Sequence, residues 1–135
     1  MALTPEKKVK DKCVKLLKAY DVYYFFPATH GYGRSGVPDI ICCIKSKTAL
    51  GHFLAIECKA GDNKPTALQE KEMADIRNHG GSTFVINETN LTLLEKFLEG
   101  FTGAKHETNQ RDEQGSANTS ATDGEPSPRV RSRST

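Results

Sequence analysis

The first hundred residues alternate between segments with helical spacing of apolar residues and short apolar runs of strand length. Apolar side chains recur every three or four positions in three segments, which predicts amphipathic helices at residues 5–20, 66–79 and 90–99. Four runs are rich in β-branched and aromatic residues, which predicts strands at 22–26, 37–45, 52–59 and 82–86. The order is therefore helix, three strands, helix, strand and helix, which indicates one α/β domain.

The ends of the predicted helices carry local signals. Thr4 is placed to cap the first helix, and Thr66 with Gln69 fits a capping box at the start of the second. Asn90 is placed to cap the third helix, and Gly100 follows its last predicted turn. These signals predict where each helix begins and ends.

A short connection joins the second and third predicted strands, which predicts an antiparallel hairpin. A symmetric hairpin centred on Thr48 places Asp39 directly opposite Glu57, with Cβ atoms about 4.5–5.5 Å apart. Side chains alternate along a strand, so Lys59 shares the face of Glu57. The hairpin therefore predicts a cluster of two acids and one lysine.

Asp39, Glu57 and Lys59 are unusual in segments that otherwise consist of strand-forming apolar residues. Charged side chains are rarely buried unless they are paired or bind a metal. Two acids directly opposed on a sheet destabilise it unless something neutralises them. The pattern predicts a site for a divalent cation, and the alternative is a structural ion pair.

Composition adds limits to this interpretation. The formal net charge is only +2, so bulk charge does not by itself indicate a nucleic-acid partner. No run of eighteen apolar residues is present and the N-terminus has no apolar signal core, so we expect no membrane association and a cytoplasmic location. From residue 104 the chain becomes polar and charged. We therefore expect a folded domain at 1–103 and a disordered tail at 104–135.

The four cysteines lie in apolar segments without CxxC spacing. We interpret Cys13, Cys42, Cys43 and Cys58 as small buried hydrophobic residues. A zinc site that combines three of them with His52 is the alternative. It is disfavoured because the adjacent Cys42 and Cys43 point to opposite faces of a strand.

The motifs Pro38-Asp39 and Glu57-Cys58-Lys59, on predicted paired strands, resemble the PD-(D/E)xK nuclease superfamily. The stretch 34–39, which reads Arg-Ser-Gly-Val-Pro-Asp, and Gln69 on the next helix sharpen the likeness. With them the chain looks like the VRR-NUC family, and in particular its short stand-alone members from phages and bacteria. The resemblance covers about residues 5–86.

The resemblance implies a restriction-endonuclease-like αβββαβ core, with a mixed central sheet flanked by helices. It implies a divalent-metal-dependent DNA endonuclease in a bacterial or phage-infected cell, with branched or junction DNA as candidate substrates. Asp39, Glu57 and the main-chain carbonyl of Cys58 would bind Mg²⁺ or Mn²⁺. Glu6 on the first helix would be a further ligand, and no small-molecule cofactor is implied.

Lys59 and Gln69 complete the catalytic group that the resemblance implies. Lys59 suits the orientation of the attacking water, the stabilisation of charge in the transition state or the role of general base, whereas the capping box alone also explains Gln69. Four basic residues are expected to flank the site and contact phosphates: Arg34, Lys45, Lys47 and Lys64.

A domain of this size offers a limited binding face, so a homodimer with one subunit for each DNA strand is expected. Two alternatives remain open on the sequence. One is a nucleic-acid-binding module that has the fold without turnover, and the other is a nuclease that acts on RNA.

Overall fold

The computed structural model describes residues 3–28 and 33–104, which form three helices and one four-stranded sheet. The chain is α/β, as the apolar pattern predicts. In chain order the elements are α1 (Pro5–Ala19), β1 (Tyr23–Phe25), β2 (Ile40–Lys45), β3 (Gly51–Cys58), α2 (Ala67–Asn78), β4 (Ser82–Ile86) and α3 (Leu91–Thr102).

The sheet is mixed, and its strands lie side by side in the order β1, β2, β3, β4. β1 pairs with β2 and β2 pairs with β3 in antiparallel orientation, whereas β3 and β4 are parallel. The β2–β3 hairpin pairs Ile40 with Ile56 at one end and Lys45 with Gly51 at the other. This is the register of a hairpin centred on Thr48, so the predicted alignment is confirmed.

The core lies between the sheet and the helices α1 and α3. Alternate residues of β2 and β3 enter it because successive side chains on a strand point to opposite faces. Fully buried residues from both sides meet there: Val9, Cys13, Leu17, Ile40, Ile44, Leu54, Ile56, Leu94 and Leu98. The opposite face of the sheet carries α2, which packs mainly on β4.

Two of the predicted helix starts are confirmed. Thr4 Oγ1 accepts a hydrogen bond from the Lys7 N–H at 3.2 Å, and Thr66 and Gln69 form a reciprocal capping box. Asn90 precedes α3 but its side chain does not cap the helix. It accepts from the Asn87 N–H and donates to the Val85 carbonyl instead.

The predicted end of the third helix is wrong by about one turn. Gly100 lies inside α3, and the left-handed residue that ends the helix is Gly103, with φ 72°. The extra turn brings Phe101 against the core, where its ring stacks on His52 at 4.5 Å between centroids. Burial of this ring offsets the roughly 1 kcal/mol that an interior glycine costs a helix.

Three of the four cysteines are buried, as expected, but Cys43 is exposed. Cys42 and Cys43 are neighbours on β2, so one enters the core and the other faces the side that α2 leaves uncovered.

The tail expected to be disordered begins at Ala104, and its residues 105–135 lie outside the described part. Among residues 3–28 and 33–104, no helix has the length and apolar character needed to cross a membrane.

Candidate functional site

Asp39, Glu57 and Lys59 meet at the end of the β2–β3 hairpin that is remote from its connection. Asp39 directly precedes β2, Glu57 and Cys58 end β3, and Lys59 follows. Continuation of the hairpin register places Asp39 opposite Glu57. Asp39 Oδ2 accepts a hydrogen bond from the Cys58 N–H at 2.8 Å, which fixes the carboxylate at the sheet end.

Glu57 is the most unusual side chain of the site because it is a buried carboxylate. Only 2% of it is exposed. Its Oε1 accepts a hydrogen bond from Gln69 Nε2 at 2.8 Å and lies 3.6 Å from Lys59 Nζ. Its Oε2 is buried and has no hydrogen-bond partner, and such an oxygen costs about 1–3 kcal/mol. Protein donors thus contact only one of the two carboxylate oxygens, Oε1.

Burial and the neighbouring Asp39 carboxylate raise the pKa of Glu57 from 4.5 to about 7. Burial is the larger cause, since a charged carboxylate loses its hydration there. The Lys59 ammonium acts in the opposite direction without cancelling these effects. A positive charge placed between the two carboxylates would restore the ionised form of Glu57.

The main-chain carbonyl of Cys58 points to the same side as Asp39. The Cys58 N–H binds Asp39, whereas the next N–H, that of Lys59, donates to the Ile86 carbonyl on β4. In an extended strand the N–H and C=O of one residue point to the same neighbour. The register places Pro38 opposite Cys58, and proline has no N–H to donate to that carbonyl.

Gln69 is held in place by the capping box of α2. Its Oε1 accepts from the Thr66 N–H at 2.8 Å, and its Nε2 donates to Glu57 at 2.8 Å. Because the oxygen is engaged by a backbone donor, the amide nitrogen must face the carboxylate. The structural and functional interpretations of Gln69 are therefore compatible.

The segment before Asp39 rests on α2, a contact that the sequence analysis does not identify. Gly36 has φ +83°, and a Cβ there would lie 2.6 Å from the Leu68 carbonyl carbon. Arg34 extends the contact, with Nη2 at 3.5 Å from Glu72 Oε1. The combination of a left-handed φ and backbone contact restricts position 36 to glycine. This contact connects the chain segment that carries Asp39 to the helix that carries Gln69.

Glu6 is exposed on the first turn of α1. It lines a cleft of about 480 Å³ whose other lining residues are Thr4, Lys7, Lys10, Asp11, Phe26, Asp39 and Cys58. Glu6 thus faces the same cleft as Asp39. Within residues 3–28 and 33–104, however, no three His, Cys, Asp or Glu side chains form a ready group of metal ligands. Glu6 therefore does not join Asp39 and Glu57 in a preformed group of three carboxylates.

Two of the basic residues expected to flank the site lie elsewhere. Lys45 is at the opposite end of β2 from Asp39, about 20 Å away at the rise of an extended strand, and its Nζ is 3.6 Å from Asp21 Oδ2. Lys47 follows in the hairpin connection, next to Gly103. The expectation that they flank the site is wrong, because strand length separates the two ends of the hairpin.

The other two expected residues are better placed. Arg34 lies in the segment that leads to Asp39, and Lys64 is exposed in the connection between Lys59 and α2. Both belong to chain segments that adjoin the acidic pair.

The donor set fits a hard divalent cation. It consists of the unpartnered Glu57 Oε2, the Asp39 carboxylate and the main-chain carbonyl of Cys58, and such oxygen ligands are those that Mg²⁺ and Mn²⁺ prefer.

Comparison of the chain with known protein families and with curated proteins gives no match.

Proposed function

We propose that the protein is a divalent-metal-dependent nuclease that hydrolyses DNA phosphodiester bonds, with the restriction-endonuclease-like core of the VRR-NUC family. The observation that carries the proposal is the buried, unpartnered Oε2 of Glu57 beside Asp39. A carboxylate that is buried, raised in pKa and close to a second acid is typical of a functional site. A structural ion pair explains Oε1, which faces Lys59, but it does not explain why a second acid, Asp39, lies against the same buried carboxylate.

Asp39, Glu57 and the Cys58 carbonyl would hold Mg²⁺ or Mn²⁺, with Glu6 contributing from across the cleft. When bound, the cation would polarise a phosphoryl oxygen and lower the pKa of a coordinated water. The buried carboxylate supplies negative charge in a region of low dielectric, which strengthens its attraction for a cation.

Lys59 and Gln69 act through their contacts with Glu57. Lys59 Nζ lies 3.6 Å from Glu57 Oε1, so its ammonium group is held beside the proposed centre, where it would stabilise negative charge on the phosphoryl group in the transition state. Gln69 orients Glu57 by donating to the same oxygen. Both donors thereby leave Oε2 for the cation.

A homodimer is proposed from the uncovered face of the sheet. Tyr23 pairs with Cys43 and Cys43 with Phe53, so three exposed side chains form a row across β1, β2 and β3. The exposed Phe25 continues this apolar face on β1. A second copy would cover it and supply a second nuclease centre for the other DNA strand. Sedimentation that shows only monomer at micromolar protein, with and without DNA, would count against the dimer.

The proposed function is tested by incubating the protein with labelled linear, flapped and four-way-junction DNA and with RNA. Each substrate is combined with Mg²⁺, Mn²⁺ or EDTA. We expect cleavage of DNA that EDTA abolishes. Asp39→Asn and Lys59→Ala should each reduce the rate by about a hundredfold or more.

Two matched controls make the result specific. Asp62→Asn removes an exposed acid after β3, and Lys71→Ala removes an exposed lysine on α2, and neither should change the rate. Cleavage that is independent of metal, or unaffected by Asp39→Asn, would falsify the proposal. Cleavage of RNA alone would favour an RNA-directed nuclease, and metal-dependent binding without cleavage would favour a non-catalytic module.

A further inference from the structure

The cleft beside Asp39 contains an aromatic side chain that the proposed metal chemistry does not use. Phe26 follows the edge strand β1 and lines this cleft together with Asp39 and Cys58. Phe26 is 48% exposed, although a side chain of this size is ordinarily buried. The neighbouring Tyr24 ring supports it, with centroids 5.8 Å apart. Phe26 is therefore an anchored ring that remains open towards the cleft.

The side chain of Lys10 lies over this ring, so a base that stacks on the ring displaces it. Lys10 Nζ lies 4.1 Å from the centroid of Phe26, at the distance of a cation–π contact. Lys10 is on α1, one turn from Glu6, so its flexible side chain can reach either the ring or the interior of the cleft. The cleft thus combines a stacking surface with a mobile positive charge next to the acidic pair.

The other charges of the cleft determine when an anion can enter it. Lys7 and Asp11 pair with each other at 3.5 Å. The remaining lining charges are Lys10, Glu6 and Asp39, which sum to a negative value. A phosphodiester is repelled by this balance, whereas a divalent cation at Asp39 reverses it. Entry of a nucleic acid should therefore depend on the cation.

We propose that this cleft binds one unpaired nucleotide of the DNA substrate next to the phosphate that is cut. Its base stacks on Phe26 and its phosphate contacts Lys10. The inference rests on the proposed nuclease function and adds a substrate class to it. A volume of about 480 Å³ lies within the range of sites that enclose a small ligand. Inside a duplex both faces of a base are covered by its neighbours, so a base away from the duplex ends can stack on a protein ring only when it is unpaired.

The inference is tested by fluorescence anisotropy with a labelled single-stranded DNA and a long blunt-ended DNA duplex, which contains no unpaired nucleotide. Ca²⁺ replaces Mg²⁺, and a denaturing gel verifies that both DNAs remain intact. Phe26→Leu should weaken binding of the single strand by about 5- to 150-fold, which is the range for loss of one stacked base. It should leave binding of the blunt-ended duplex unchanged, and Phe26→Trp should preserve binding of the single strand.

Lys10→Gln should reduce the slope of log K against log salt by about 0.7, as expected for one phosphate contact on a single strand. Lys15→Gln is the matched control, because Lys15 is exposed on the same helix and does not line the cleft. Thermal unfolding verifies that each variant is folded.

The outcomes separate the two proposals. If the wild-type protein cleaves DNA with metal but Phe26→Leu binds the single strand as tightly as wild type, the nucleotide cleft is wrong and the nuclease stands. Equal weakening for the single strand and the blunt-ended duplex, or equal binding with Ca²⁺ and EDTA, would also overturn the cleft. Absence of metal-dependent cleavage by the wild-type protein would instead overturn the nuclease.

Discussion

Replacement of Glu57 by glutamine should stabilise the protein in EDTA at alkaline pH. Burial and Asp39 raise the pKa of Glu57 from 4.5 to about 7. A carboxyl group with a raised folded-state pKa contributes its full stability below the unfolded pKa, and this contribution is lost as pH rises through the folded pKa. At 1.36 kcal/mol for each pKa unit, ionisation above pH 7 destabilises the folded state by at most about 3 kcal/mol.

Glutamine preserves the shape of Glu57 and still accepts a hydrogen bond from Gln69. The Glu57→Gln variant should therefore unfold at higher urea than wild type at about pH 8 in EDTA, by an amount equivalent to at most about 3 kcal/mol, and the difference should disappear near pH 4.5. The control is Glu70→Gln, an exposed glutamate on α2, which should show neither effect. A Glu57→Gln variant that is less stable than wild type at about pH 8, or a difference in stability that does not change with pH, would contradict a raised pKa of Glu57.

The other predictions concern the support of the site and its accessible thiol. Gly36→Ala should lower the free energy of unfolding by about 1–3 kcal/mol more than Gly80→Ala. Both glycines have positive φ, but of the two only Gly36 has backbone atoms within 4 Å of an added Cβ. Equal decreases in the free energy of unfolding, measured with urea, would contradict this. Gln69→Glu should keep the helix cap but repel Glu57, so Mn²⁺ affinity measured by calorimetry should change while helicity stays constant; unaltered affinity would exclude a positioning role. Cys43 should react with a maleimide at dilute protein much faster than the three buried cysteines, and mass spectrometry that finds rapid labelling of several thiols would oppose the described packing.

The hairpin register was predictable because it depends on local symmetry. Asp39 and Glu57 are equally distant in sequence from Thr48, and a short connection leaves few other alignments. The Thr66–Gln69 capping box was predictable for a similar reason, since its bonds join residues three positions apart. These two local features define most of the candidate site.

Features that depend on contacts between distant segments were not predictable in the same way. The close approach of Gly36 to Leu68 arises only when the segment before β2 packs on α2. Phe26 stands at the end of a predicted strand, and its place beside Asp39 depends on the antiparallel pairing of β1 with β2, which sets Phe25 opposite Ile41. Gly36, two residues before Pro38, was the available sequence signal for the first of these contacts.

The predicted side-chain cap of the third helix is wrong. Asn90 stands where a helix cap is expected, yet its side chain bonds to Asn87 and Val85. Asparagine competes for nearby backbone groups in several geometries, and the turn after β4 offers it two of them. The third helix therefore begins without a side-chain cap and depends on packing of its apolar face.

The most direct test of the central claim is a Mn²⁺ titration of the wild-type protein and the Asp39→Asn variant, followed by the electron paramagnetic resonance signal of free Mn²⁺. Wild type should show saturable binding that strengthens as pH rises through about 7, because Glu57 must ionise to bind the cation. This binding should be lost in Asp39→Asn, whereas Asp62→Asn should bind as wild type does. Binding that is absent in wild type, or equal in the wild-type protein and Asp39→Asn, would contradict the assignment of a metal centre to this end of the sheet.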